Sequence, residues 1–278
     1  LLGFDALHTK LFCKSFTKGF LHPHHQGDDM TAGFQRLEAR GPGQLEDWGP
    51  MPSDDLIAGT GQQYGHLWLD DATSGLMIGV WACSPMTGRM GPWSTNEMMI
   101  LIEGAVTIDH ADGSRLDVTA GDAFFIPKGT VCSWRQECDL KKFFAIHNDG
   151  SGLTVPDANA LRAHKIDLAG ALSLAEGPDP ALLIGPAPIC HETVAFTDLT
   201  GRLSAGVWSA TPYARAATTF PRHELMHIVE GSVTLSDGAG REVTFAAGDT
   251  CFVAKGATVG WSSTEPVRKL FCSFVPSA

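Results

Sequence analysis

Residues 79–146 read GVWACSPMTGRMGPWSTNEMMILIEGAVTIDHADGSRLDVTAGDAFFIPKGTVCSWRQECDLKKFFAI, and the chain repeats this pattern 127 positions later. Gly79-Val80-Trp81 lands on Gly206-Val207-Trp208, Glu97 on Glu224, Gly104 on Gly231, Gly121-Asp122 on Gly248-Asp249 and Trp134 on Trp261. Across these 68 positions no gap is needed and 20 residues are identical. Chance pairing of segments of average composition gives roughly 4 or 5. A repeat of this length means two copies of a domain, since solenoids are built from much shorter units.

Within the first copy, Leu76 to Cys83, Met98 to Ile102, Ala105 to Asp109, Arg115 to Val118, Ala123 to Ile126 and Lys142 to Ile146 are short runs rich in β-branched and aromatic residues. Turn formers bound each run, so each reads as a strand. Ala111-Asp112-Gly113 is a hairpin signal, as is Asp237-Gly238-Ala239-Gly240 in the second copy. Many short strands with almost no helix predict an all-β chain, with a sandwich or closed barrel in each half.

Outside the repeat the composition changes. Residues 1–29 carry three lysines, a run of phenylalanines and leucines, and His22-Pro23-His24-His25; they read as an extension ahead of Met30. The expected organisation is therefore 1–29 as extension, 30–147 as the N-terminal domain with an irregular arm, 148–189 as linker and 190–278 as the C-terminal domain. The arm is punctuated by Gly41-Pro42-Gly43 and Gly49-Pro50, with Tyr64 to Leu69 a candidate strand. In the linker, Pro156 to Ala163 starts like a short helix with Pro in its first turn.

A formal charge of −11 argues against nucleic acid or an anionic membrane as partner, because both reward Lys and Arg. No apolar run reaches the roughly 18 residues that span a bilayer. The seven cysteines are scattered without a C-x-x-C pair, which reads as reduced thiols in a cytoplasmic protein.

The two halves each resemble the cupin superfamily, whose first motif has the form G-x5-H-x-H-x(3,4)-E-x6-G and whose second is G-x5-P-x-G-x2-H-x3-N. Glu97 and Gly104 have the E-x6-G spacing, and Gly121 through Ile126-Pro127-Lys128-Gly129 fits the opening of the second motif. Glu224 and Gly231 fit likewise, and Gly248 through Ala254-Lys255-Gly256 fits with Ala in place of Pro. The Gly-Val-Trp opening, Phe220-Pro221-Arg222-His223-Glu224 and Gly260-Trp261 are similar to the ureidoglycine aminohydrolase cupin-domain and ethanolamine-utilisation-like subgroup. The resemblance implies two tandem RmlC-like double-stranded β-helix jelly-roll barrels, a small-molecule ligand of ureido or amine type, and a homodimer.

Metal-dependent cupins add two His ahead of the Glu and one in the second motif, a set suited to Mn, Fe, Ni or Zn. Here the leading positions hold Gly91 or Met90 and Trp93 or Pro92 in one half, Thr218 or Ala217 and Phe220 or Thr219 in the other. The third position holds Cys132 or Val259. A lone carboxylate, or Glu plus Cys, does not hold a divalent ion against water, so the expectation is no metal at these positions, with Mn, Fe, Ni or Zn kept as the lesser alternative. His223 and His227 are the outside candidates, but strand alternation turns both away from Glu224, Met226 and Ile228.

The remaining candidates are a carboxylate among aromatics in each barrel. Glu97, Trp93, Met99, Cys132 and Trp134 are expected near one cavity, and Glu224, Phe220, Met226 and Trp261 near the other. Burial would raise the pKa of the glutamate in either barrel and suit it to general acid or base work or to anchoring a ligand amine, with Glu97 the catalytic candidate, and Cys132 is a candidate nucleophile. Lys128 and Lys255 are expected in solvent. Three readings follow: an enzyme acting through Glu97, a non-catalytic ligand-binding or sensing protein, and a structural protein. The copies differ at the pocket positions, which favours the first barrel as the acting one.

Overall fold

Alternating apolar residues close the chain into two β-barrels. The computed structural model describes residues 33–150 and 161–276. The His-rich stretch at 22–25 and all but the last three residues of the expected linker helix lie outside the described residues. Those three, Leu161 to Ala163, are not helical. Among the described residues no helix is long and apolar enough to cross a membrane.

One compact unit spans Ala39–Lys165; the second joins the segment ending at Glu38 to Ile166 onward. In the first unit, strand Asn96–Glu103 lies in a seven-stranded sheet between Ala123–Ile126 and Leu140–His147, with Leu76–Cys83 beyond the latter. A second sheet carries Ala105–His110 between Arg115–Thr119 and Val131–Gln136. The second unit repeats the plan. His223–Glu230 lies between Thr250–Val253 and Val267–Phe274, with Leu203–Ala210 next, and Thr258–Ser262 belongs to the facing sheet.

Alternation decides what enters each barrel. Met99 and Leu101, Phe124 and Ile126, Cys132 and Trp134, and Leu140, Phe144 and Ile146 share the first core. Their counterparts Met226 and Ile228, Cys251 and Val253, Val259 and Trp261, and Val267 share the second. The glycine that ends each Glu-x6-Gly run is forced by close approach. Gly104 and Gly231 have φ of 83° and 75°, and a Cβ would meet the carbonyl oxygen of Asp139 at 2.3 Å or of Pro266 at 2.1 Å.

The strands follow the sequence expectation and extend it by a residue or two at most ends. The domain boundary differs at residues 33–38. Phe34–Leu37 pairs with Thr250–Val253 in register Phe34↔Val253 and belongs to the second unit. Phe34 and Leu37 are buried there, and Arg36 lies over the Phe245 ring and pairs with Asp249. The linker also adds strands, Ser173–Ala175 against Cys190–Thr197 and Leu183–Ile184 against Ala214–Thr219.

Candidate functional site

The first barrel encloses an ion pair. Leu140, Phe144 and Ile146 point inward, and Lys142 has the same strand parity, so its side chain enters the core. Glu97 stands opposite Ile146 and Leu101 opposite Lys142 on the paired strands. The long lysine stem runs back along the strand, passing Met99 Sδ at 3.0 Å, and Lys142 Nζ donates to Glu97 Oε1 at 2.6 Å. Both side chains are nearly solvent-free, at 4% and 3% exposure. The rings of Trp81 and Trp134 flank the ammonium at 4.9 and 4.7 Å from their centroids. A buried charge on this scale persists only when paired and solvated by such groups.

The other carboxylate oxygen is lightly used. Trp93 Nε1–H donates to Glu97 Oε2 at 3.2 Å, and the half-buried indole stacks on Trp134 at 6.2 Å. Its backbone is held between Thr130 O and Gly129 N at 2.8 and 2.7 Å. Thr130, two residues before Cys132, is fully buried and its hydroxyl has no partner among the described residues. At the far end Trp134 Nε1 donates to Gln136 Oε1 at 2.8 Å, so this indole is satisfied.

The second barrel repeats the pair and saturates it. Lys269 Nζ donates to Glu224 Oε1 at 2.6 Å, passes Met226 Sδ at 3.0 Å, and lies 5.1 and 5.4 Å from the Trp208 and Trp261 centroids. Glu224 Oε2 also accepts from Arg222 Nε at 2.6 Å and Ser273 Oγ at 3.0 Å. The first barrel has Thr95 and Ile146 at those positions. Burial pushes the Glu224 carboxyl up, yet Lys269 and Arg222 outweigh it and hold the group at about 2. The expectation that burial raises the carboxylate is corrected for Glu224: the buried Lys269 and the partly exposed Arg222 together outweigh desolvation.

The structure brings Glu97, Trp93, Met99, Cys132 and Trp134 into one cluster, and Phe220, Met226 and Trp261 into the other around Glu224. Cys132 is buried, and its thiol is pushed up to about 12 by burial and then by Glu97, which leaves it a poor nucleophile. His223 and His227 do not join Glu224. His223 stacks on Phe252 at 5.8 Å, and its Nδ1 accepts from Lys255 N; His227 Nδ1 meets Thr250 Oγ1 at 2.9 Å. The register shift in that strand falls at Ile228–Glu230, away from His223. Lys128 is not simply solvated, since it pairs with the buried Asp149 carboxylate.

Sequence reasoning missed Lys142 and Lys269. Their signal was present, because they are identical under the 127-residue shift and share parity with inward apolar residues. The same cations decide whether the metal that the fold family implies would fit. Around Glu97 stand Trp93, Met99, a protonated Cys132 and an ammonium already on Oε1, so the donor set does not fit a divalent ion. Among the described residues no three His, Cys, Asp or Glu side chains are gathered as ligands. No step is derived through a metal.

Comparison with known proteins agrees with this architecture. The EutQ-like cupin domain matches residues 72–144 and 197–271, once per barrel. No curated protein matches the chain in sequence. A protein with unknown function of the DUF861 family from Pseudomonas syringae pv. tomato is 26% identical at a TM-score of 0.71, covering 87% of this chain and 99% of its own. A cupin 2 conserved barrel domain protein from Leptotrichia buccalis is 13% identical at a TM-score of 0.52, covering 82% and 97%. Streptomyces albus HEPD, with 2-hydroxyethylphosphonate and Fe(II) bound, is 10% identical at a TM-score of 0.54, covering 93% and 79%. The last two likenesses concern the fold alone.

Proposed function

Because the chain belongs to the EutQ-like cupin domain family, with two tandem jelly-roll barrels, we propose that it binds a small polar metabolite in the first barrel at Glu97. One observation carries this reading. Among the described residues Glu97 Oε2 accepts only a 3.2 Å bond from the Trp93 indole, whereas Glu224 Oε2 accepts from both a guanidinium and a hydroxyl. A ligand N–H can therefore replace the indole on Glu97, with Trp93 swinging aside from the mouth. The buried Thr130 hydroxyl, without a partner among the described residues, is the second polar group this reading assigns to the ligand. An amine or ureido ligand fits these acceptors, in keeping with the family resemblance.

A binding or sensing role is favoured over Lewis-acid chemistry, because the three imidazole positions hold Gly91 or Met90, Trp93 or Pro92, and Cys132, and Glu97 is already paired with an ammonium. Conversion of the ligand would then rest on Glu97 as the proton-handling group. A cytoplasmic homodimer is part of the same reading.

The test is a thermal-shift screen of small amines and ureido compounds, followed by calorimetry with Glu97→Gln and Trp93→Phe. A ligand at 100 times its Kd raises stability by about 2.7 kcal/mol. We expect Glu97→Gln to weaken a hit at least tenfold and Trp93→Phe to change its on-rate. No hit, or one indifferent to Glu97→Gln, defeats the proposal.

A further inference from the structure

The two barrels differ at one further buried place, remote in role from the carboxylates. In the first, Gln136 is 3% exposed and its carboxamide plugs the barrel end. Its Oε1 accepts from Trp134 Nε1 at 2.8 Å, and its Nε2 donates to the carbonyls of Cys83, Ser84 and Cys138 at 2.9, 3.1 and 3.2 Å. In the second barrel the counterpart is Ser263. Its short hydroxyl turns to the backbone of Tyr213 instead, at 3.3 Å from N and 3.4 Å from O.

The indole that Gln136 satisfies is retained without a partner. Trp261 keeps the placement of Trp134, edge-on to Trp208 at 81° as Trp134 is to Trp81 at 88°, with the lysine over its ring. Its Nε1–H is buried and bonded to nothing among the described residues. Native proteins leave few buried polar groups unpaired, so this indole N–H calls for a partner. Ala210 and Thr211, the counterparts of Cys83 and Ser84, line a surface cleft of about 210 Å³. Its wall also includes His191, Ser209, Glu230, Pro266, Val267 and Arg268, whose guanidinium is held by the carbonyls of Leu168 and Gly170.

We propose that this end of the second barrel binds a primary carboxamide, carried by a small molecule, in the place that Gln136 fills in the first. The ligand oxygen accepts from Trp261 Nε1–H, and its NH2 group donates to the carbonyls of Ala210 and Thr211. The first barrel is permanently occupied by its own glutamine side chain, and the second accepts the group from outside. The cleft suits a small ligand, with His191, Ser209 and Glu230 in its wall for a polar tail. This site is independent of Glu97, so the two proposals fail separately.

The experiment follows the Trp261 indole N–H by heteronuclear NMR during titration with acetamide, using Trp261→Phe to assign the resonance. The expected result is a saturable downfield shift that is lost in Ser263→Gln, whose side chain supplies the carboxamide internally. Filling the site should also raise Tm by roughly 2–4 °C, the equivalent of about one hydrogen bond in a domain of this size. If Ser263→Gln does not fold, Gln136→Ser provides the converse: the Trp134 indole should become acetamide-sensitive where the native one is not. An indole resonance that ignores acetamide, or one that still responds in Ser263→Gln, overturns the proposal and leaves the donor to an ordinary buried water.

Discussion

Lys142 and Lys269 show how much one atom decides inside a barrel. Each ammonium pairs with a buried carboxylate, but the carboxylates differ in how many other partners they have. Removing one member of a buried pair typically costs about 3–5 kcal/mol, because the other charge stays buried. Lys142→Met should therefore destabilise the first unit by about that amount, and the double substitution Lys142→Met with Glu97→Gln should recover most of it. Lys269→Met should cost less, since Arg222 and Ser273 remain on Glu224. Urea melts of the three variants check the order; equal losses from the two lysines would contradict it.

Glu224 also sets a pH dependence. Its folded value of about 2 lies below the ordinary 4.5, so the unfolded chain binds the proton more readily. Its contribution is present above about 4.5 and is lost as pH falls toward 2. The full difference is about 3 kcal/mol. Glu224→Gln should flatten the stability profile in that window, measured by urea midpoints between pH 6 and pH 3. These residues explain why the carboxylates were legible in the sequence and their partners were not. Glu-x6-Gly is a local spacing, whereas Lys142 lies 45 residues from Glu97 and meets it only when the strands pair.

At the scale of elements, the strands were readable because turn residues and alternation act locally. What local pattern could not give was which outside segment each barrel recruits. In the first unit one such contact is a backbone bond: the Ala163 N–H donates to His110 Nε2 at 3.0 Å. A protonated imidazole cannot accept it. Burial lowers the His110 pKa, helped by Arg162 and opposed by the Ser114 backbone contact, Asp112 and Asp109. The depressed value means the unfolded chain takes the proton first, so this contribution is present above about pH 6.5 and is lost as pH falls through the folded value. We expect proteolytic cleavage around residues 161–163 to accelerate between pH 7 and pH 5, and His110→Phe to be cleaved readily at both. Cleavage rates that do not change with pH, after correction for the protease, would remove the contact from this role.

For the whole molecule, duplication preserved the scaffold and let the interiors diverge. The 127-residue repeat made the two-barrel plan legible, but the position of Phe34–Leu37 was not, because four residues of an arm carry no pairing information by themselves. The strand completes the second unit: Phe34 is 2% exposed, Arg241 lies 4.8 Å over its ring, and Arg36 reaches Thr244 O at 2.6 Å. Burying a phenylalanine and a leucine contributes about 3–6 kcal/mol in transfer terms. Phe34→Ala should remove about 3–5 kcal/mol of that, once the residual cavity is included. The loss should be localised, because the pairing partner is Thr250–Val253 and the strand belongs to the second unit. Hydrogen exchange followed by mass spectrometry provides the readout. Peptides covering Thr250–Val253 should lose protection in Phe34→Ala, while those covering the counterpart strand Ala123–Ile126 keep theirs. Equal deprotection of both strands would mean that the arm stabilises the chain as a whole and not the barrel it pairs with.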